Sequence, residues 1–451
     1  MDLVIKNGVV VGPGSQFEAD LGIEGGRIVQ LADKIEPGSA EVLEARGMFV
    51  LPGAIDLHTH IGLGAADDFE SGTRAAARGG VTCIVDCAPQ LPGKSLLQSL
   101  EVRKSEAAGR AYVDFALHAA PAVWSEAVRR EIREAVAEGI TTFEVQLAPS
   151  CIAGLSALAD AALYELLHET AKVGATVIAR PGNAGVASAV AARLRPDGLA
   201  DARRLSEVFP AVAEAEGIRR VAALAELVTG NLLAGPVSGA EAAAAVAEAR
   251  ARGINVTGET APHYLLRALL GEERPELAVL PPLRTAVESE QLWHALAGGD
   301  IEVVSSGHRA RAKAGTSGKD VLELDAGLPG VELLLPLLFS EGVRRGRMTM
   351  SRLSQVTSTN PAMVAGLFPG KGILQIGSDA DIVLLDPERD WTVSRETLAT
   401  VSDLVPFDGL ALKGCVFATV SRGKIVRRGE EFLGQPGHGV FVRRQPLEEL
   451  Y

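Results

Sequence analysis

The residues best placed to do chemistry are Asp56, His58 and His60, in the run Asp56-Leu57-His58-Thr59-His60. The run closes an apolar stretch, Met48-Phe49-Val50-Leu51-Pro52-Gly53-Ala54-Ile55, of the kind that forms a buried strand. Side chains alternate faces along a strand, so these three share one face, with the imidazoles about 7 Å apart along the backbone. Neutral imidazole nitrogens at that spacing can converge on one divalent ion. A pair of core histidines is the other reading of the spacing. The run's place, at the end of the first strand after a β-rich amino-terminal segment, favours a metal-type site.

Residues 1 to about 50 read as short strands: Leu3-Val4-Ile5, a hairpin-type Asn7-Gly8, Val9-Val10-Val11, then Gly25-Gly26-Arg27-Ile28-Val29. Residues 373 to about 428 have the same texture, as in Asp381-Ile382-Val383-Leu384-Leu385 and Val416-Phe417-Ala418-Thr419-Val420. Between these ends, strand-like segments alternate with helix-like ones. The strand candidates are Val81–Val85, Val113–Leu117, Thr142–Leu147, Thr176–Ala179, Asn231–Ala234, Asn255–Thr257 and Ile301–Val304, together with the Asp56 strand. Helices are expected over Ser125–Glu138, Leu155–Val173, Ala211–Leu227 and Gly239–Arg252, the last stopped by Gly253. Repeated β-α units imply a parallel sheet, and eight of them imply a (β/α)8 barrel. The fold expected is α/β: a TIM-type barrel over 51–372, a β-sandwich built from 1–50 plus 373–430, and a C-terminal arm over 431–451 that reaches a neighbouring subunit. In such a barrel functional groups sit at the carboxyl ends of the strands, where His58 and His60 fall.

Composition narrows the function. Apolar residues are 47% and charged residues 22%, which suits a large buried core. A formal net charge of -13 argues against a phosphate-backbone partner, so no nucleic acid is expected. No apolar leader follows Met1 and no unbroken run of about 18 apolar residues occurs, so neither secretion nor a membrane span is expected. Cys83, Cys87, Cys151 and Cys415 are scattered. Cys83 and Cys87 would lie about 13 Å apart on one strand face, too far to bridge. Reduced thiols and a cytoplasmic location follow.

Several stretches resemble the dihydropyrimidinases and hydantoinases, cyclic-amide hydrolases of the amidohydrolase superfamily. They are Asp56-x-His58-x-His60, Asp67-Asp68-Phe69-Glu70-Ser71-Gly72-Thr73, Glu259-Thr260-Ala261-Pro262-His263-Tyr264-Leu265, Gly327-Leu328-Pro329-Gly330-Val331-Glu332, Thr357 to Pro361, and Lys371-Gly372 leading into Gly377-Ser378-Asp379-Ala380-Asp381. The resemblance covers nearly the whole chain. Dihydroorotases are a neighbouring branch whose pattern looks like HxHxR; Gly62 stands at the Arg position here. The resemblance implies two metal ions held by the HxH pair, a carboxylated Lys, two more His, and an Asp that also serves as general base. Carried over position by position, the Lys is Glu144, the next His is Arg180, the following one is Pro236 and the Asp is Gly307. The substrate-contacting Tyr falls on Pro149.

Proline and glycine offer no side-chain donor, and arginine is a permanent cation. No catalytic residue is therefore assigned; His308, beside Gly307, is the candidate for a substitute base. The ligand pocket is expected to draw on Asp56, Glu144, Arg180, Asn183, Gly307 and Asn360. Any surviving metal site would use His58, His60 and Glu144 for at most one ion, zinc or manganese. The expected function is a non-catalytic binding or scaffold relative; the alternative is a cyclic-amide hydrolase on one ion. Expected partners are a second copy of the chain, as tetramer or dimer, a small cyclic amide or carboxylate, and an active paralogous subunit. The guanidinium of Arg180 is expected to pair with Glu144, or failing that Asp56. Asp67 and Asp68 are expected to cap the following helix.

Overall fold

The computed structural model describes residues 1–195, 204–271, 274, 276–311 and 325–447. The last four positions of the expected arm, 448–451, lie outside the described residues.

Short strands rich in β-branched residues open the chain: β1 (Leu3–Val11), β2 (Gln16–Glu24), β3 (Arg27–Ala32), β4 (Glu41–Glu44) and β5 (Phe49–Pro52). The barrel follows as β6 (Ala54–Thr59), β7 (Val81–Pro89), β8 (Asp114–Ala120), β9 (Thr142–Gln146), β10 (Thr176–Arg180), β11 (Asn231–Ala234), β12 (Val256–Thr260) and β13 (Val303–Val304). These eight, among the described residues, lie side by side in sequence order, each parallel to the next. The ring closes where the segment after β13 returns to β6: His308 N–H donates to His58 O (3.1 Å), and His60 N–H donates to His308 O (2.9 Å). Every residue of β7 and β8 is buried. Helices cover the outer face of such strands and side chains fill the inner one, so the strands read as continuous apolar runs.

The chain ends with β14 (Ile382–Thr392), β15 (Ala411–Ser421), β16 (Lys424–Arg428) and β17 (Glu431–Phe432). Among the described residues the second sheet runs β17-β16-β15-β14-β5-β1-β2-β3, with β4 beside β1. Its two halves meet where β5 pairs antiparallel with β14, Leu51 opposite Val383. Ile5, Leu21, Ile23, Ile382, Leu384 and Val420 share one apolar core. The two ends of the chain thus complete each other's hydrophobic face. No helix among the described residues is long and apolar enough to cross a membrane.

Three local expectations are corrected. Asn7-Gly8 does not reverse the chain. Asn7 takes φ 61° inside β1 and makes a bulge, the register shifting between Ile5 and Gly8. The Asn7 N–H donates to Asp20 Oδ1 (2.8 Å), and a Cβ on Gly8 would come within 2.3 Å of Val50 Cγ2. The helix expected from Leu155 runs over Asp160–Ala171. Leu155 packs instead with Ile152, Cys87 and Ala120 beside the barrel mouth. Asp68 caps the helix Phe69–Arg78 by accepting from Glu70 N and Ser71 N (3.0 and 2.9 Å), whereas Asp67 has another role, described below. The arm, as far as Leu447, lies along its own barrel, with Leu447 N–H donating to Gly174 O (3.1 Å). Phe441 bridges to Phe115, and the buried Arg444 donates from Nη1 to Thr142 Oγ1 (2.8 Å).

Candidate functional site

The carboxyl ends of the barrel strands surround a cleft of about 630 Å³, its open mouth included. His60, Gln146, Arg180 and Asn183 supply polar groups to its wall, while Ile152, Phe209 and Leu280 supply apolar ones. The helix Ala211–Val228 adds Glu214, which accepts from Arg284 Nη2 (2.7 Å) and from Ser238 N (2.8 Å). Arg284 also donates to Phe209 O (2.7 Å), so this buried cation is fully occupied in building the wall.

At the base of the cleft, β6 presents His58 and His60 with ring centroids 5.1 Å apart. Asp56 lies beneath them, its Oδ1 accepting from His58 N and Ser306 N (3.1 Å each). Burial pushes the Asp56 carboxyl up to about 6. From β9, Glu144 stands with Oε1 3.9 Å from His60 Nε2 and 3.9 Å from Arg180 Nε. Its firm donor is Gln146, two residues along the same strand face, at 2.9 Å. Burial alone would raise the Glu144 carboxyl, but the His60 imidazole and the Arg180 guanidinium outweigh it and hold it well below the usual carboxylate range.

Arg180, at the end of β10, leans into the barrel. Its side chain is only 17% exposed and its Nη1 lies 2.8 Å from His58 Nδ1. That same Nδ1 is 2.8 Å from Glu259 Oε2 on β12. Nδ1 carries one proton or one lone pair, so it can donate to Glu259 or accept from Arg180, and the other neighbour then goes short. Burial, reinforced by the Arg180 charge, keeps the His58 imidazole well below its ordinary pKa, and burial raises the Glu259 carboxyl. Arg180 and Glu144 are therefore close, without the two-bond fork that an arginine can give a carboxylate.

The remaining sequence-derived positions divide. Pro236 follows β11 near Glu259, whose carbonyl accepts from Val237 N (2.6 Å). Gly307 has φ +62°, and a Cβ there would stand 3.1 Å from His263 Cε1. Asn183 lines the cleft and caps the helix Ala184–Leu194 through Val186 N (3.0 Å). His308 turns away from the cleft. Its Nδ1 faces the N–H groups of Gly330 and Val331, and its Nε2 is 3.3 Å from Asp67 Oδ2. Asp67 also accepts from Thr400 Oγ1 (2.5 Å) and Val401 N (2.9 Å), so it ties β6 to the segment after β14 instead of capping a helix. Asn360 is at the other end of the barrel, donating to Glu302 O (2.8 Å) just before β13.

Sequence reasoning passed over two neighbours of the pair. Glu259, which the sequence offers only as part of a family-like stretch, touches His58. Cys87 was weighed only as a disulfide half. The register of β6 on β7 sets Thr59 beside Asp86, which brings His60 alongside Cys87. Among the described residues the group of His, Cys, Asp or Glu atoms close enough to share an ion is His60, Cys87 and Glu144, all buried and within 4.8 Å of one another. Among the described residues, several buried atoms here lack a hydrogen-bonding partner: Nε2 of His58, His60 and His263, Asp56 Oδ2 and Glu259 Oε1. Buried polar groups in folded proteins are nearly always partnered, so such a concentration marks a place built to receive something else.

The Amidohydrolase family model matches residues 284–426. The D-hydantoinase of Geobacillus stearothermophilus is 34% identical over 98% of this chain and 97% of its own length. A D-phenylhydantoinase of Escherichia coli O1:K1 is 35% identical over 99% of each. The crystal structure of a dihydropyrimidinase from Brevibacillus agri superposes with a TM-score of 0.94 at 34% identity, covering 99% of both chains. The barrel, the two-ended sandwich and these end-to-end likenesses agree: the chain belongs to the hydantoinase and dihydropyrimidinase group of the amidohydrolases.

Proposed function

We propose that this chain keeps the hydantoinase barrel as a binding or scaffold protein in which the dinuclear hydrolytic centre is dismantled. The observation that carries this reading is the Arg180 guanidinium, 2.8 Å from His58 Nδ1 and 3.9 Å from Glu144 Oε1. A fixed cation at about 4 Å from a second unit charge of the same sign costs roughly 4 kcal/mol at an effective dielectric of 20, and a divalent ion doubles that. The donor set does not fit two ions. Pro236 and Gly307 bring no ligand atom, and His58 Nδ1 is already contested. Gly307 also brings no base, and a placed base is worth about 10² to 10⁴ in rate.

The cleft retains what a small cyclic amide or carboxylate needs: Arg180 and Asn183 at the wall, and Asp56 and Glu144 below. On this reading the protein works in the cytoplasm as a homotetramer or dimer, or beside an active paralogous subunit. Its sandwich (1–50 and 373–430) braces the barrel (51–372), and its arm (431–451) reaches a neighbouring subunit. Purified protein is expected to leave hydantoin, dihydrouracil, dihydroorotate and allantoin unhydrolysed. Turnover of any of them, abolished by His58→Ala, would overturn the reading. That result would favour a hydrolase on a single ion held by His58, His60 and Glu144, a second reading that draws on the 3.9 Å between His60 Nε2 and Glu144 Oε1.

A further inference from the structure

We infer that the chain binds one thiophilic divalent ion, zinc above all, between His60 Nε2, Cys87 Sγ and Glu144 Oε1. The inference rests on the reading that Arg180 has taken the His58 half of the old centre, and it concerns the half left over. Arg180 makes its shortest contact with His58, whereas its approach to Glu144 is 3.9 Å, too long for a hydrogen bond. The Glu144 carboxylate and the Cys87 thiolate together would cancel the two charges of a single ion, so the guanidinium would face no net like charge there. The His60 side chain is 4% exposed and its Nε2 has no hydrogen-bond partner among the described residues, although it lies 3.9 Å from Glu144 Oε1. Gln146 donates to the same Glu144 oxygen at 2.9 Å, the kind of outer hydrogen bond that orients a ligand before an ion arrives.

Cys87 supplies the third atom from the adjacent strand. It is fully buried among Ala120, Ile152 and Leu155, so the ion would sit against apolar surface on one side and the cleft on the other. Tetrahedral zinc with bonds of about 2.0–2.3 Å sets its ligand atoms roughly 3.4–3.6 Å apart. The three atoms, all within 4.8 Å of one another, need only contract by about an ångström. The fourth position opens to the cleft, which His60 lines, and would take water or a ligand atom. Binding replaces the thiol proton, which leaves to solvent, so one proton is released per ion. A thiolate in the set selects zinc over manganese or magnesium, which prefer oxygen donors. The relatives' ligand set, as the resemblance gives it, contains no cysteine, so this is a different site on a shared framework.

The test is a cobalt(II) titration of the full chain after chelator treatment, followed by near-ultraviolet absorption. The expected result is a thiolate-to-cobalt charge-transfer band that saturates at one equivalent and is bleached by zinc. Cys87→Ser and His60→Gln should each abolish the band or weaken binding by about a hundredfold or more, since even outer partners are worth 10- to 100-fold. His58→Ala and Cys151→Ser should keep it. A wild-type protein without the band, or a band that survives Cys87→Ser, overturns the site. Two equivalents bound, and both lost in His58→Ala, overturn the reading of Arg180 beneath it as well.

Discussion

Two clusters of buried charge sit at opposite ends of the same barrel, and they are built in opposite ways. At the floor, Lys371 donates to Asp114 Oδ2 (2.8 Å) and Asp381 Oδ2 (2.6 Å) and lies 3.1 Å from Asp379. Arg422 donates to Asp114 Oδ1 (3.0 Å) from its side chain and to Asp381 Oδ1 (2.8 Å) from its backbone. Val440 N of the arm also reaches Asp114 (3.1 Å). Each carboxylate oxygen of Asp114 and Asp381 has a donor, and barrel, sandwich and arm meet on the Asp114 carboxylate. At the mouth, His58, His60, His263, Asp56 and Glu259 each leave an atom unpartnered. The floor spends its polar groups on holding the molecule together, and the mouth keeps its own in reserve. Around Lys371 the carboxylates are fully paired, whereas beside the histidine pair the unpaired atoms gather at one place.

Substitutions can break or sharpen that contrast. Lys371→Met should have the largest effect, a loss of about 3–5 kcal/mol in urea denaturation, because it strands two buried carboxylates. A loss below about 1 kcal/mol would mean that the floor is no lock. Asp67→Asn comes next. Burial alone would raise the Asp67 carboxyl, but His308 and the Thr400 and Val401 donors bring it down to about 2, against an ordinary 3.8. A depressed folded pKa gives stability that is present above pH 3.8 and is lost as the pH falls toward 2. Wild type should therefore exceed the Asn variant by roughly 2 kcal/mol at neutral pH, with the gap closing between pH 4 and 2. A gap that does not change across an acid titration would remove Asp67 from the set of charged ties.

At the mouth the expected costs shrink. Gly307→Ala should cost about 1–2 kcal/mol. Its φ of +62° penalises a Cβ, and that Cβ would press on His263. Glu259→Gln should change stability by less than about 1 kcal/mol, since it swaps one poorly satisfied buried group for an isosteric neutral one. If calorimetry gives Glu259→Gln the loss expected of Lys371→Met, the two ends are alike and the contrast fails.

Much of this arrangement is legible along the chain. The alternation of apolar runs with helix-like segments carries the barrel, because strands buried on both faces have no other composition available. His58, His60, Glu144 and Arg180 fall at strand ends, where a barrel gathers side chains from distant positions. What escaped depends on distance across the sheet. Cys87 meets His60 only through the offset of β7 on β6, which neither strand encodes by itself. Asn7-Gly8 favours a left-handed backbone, and a bulge satisfies that preference as well as a turn does. Asp67 and Asp68 are equally plausible caps by residue type; burial against His308 separates them.

The pairing of β5 with β14 also sets a timetable for synthesis. Leu51 waits for Val383, more than three hundred residues later, before its strand gains a neighbour on that side. At about 5–20 residues per second, the growing chain exposes this edge for tens of seconds. During that interval the apolar faces of β1 and β5 stand open beside a half-made barrel, available to a chaperone or to another nascent copy. Stalling the ribosome shortly before β14 should leave the amino-terminal strands protease-sensitive, and stalling it well after β17 should not. The last strands of this protein decide when the first ones become safe.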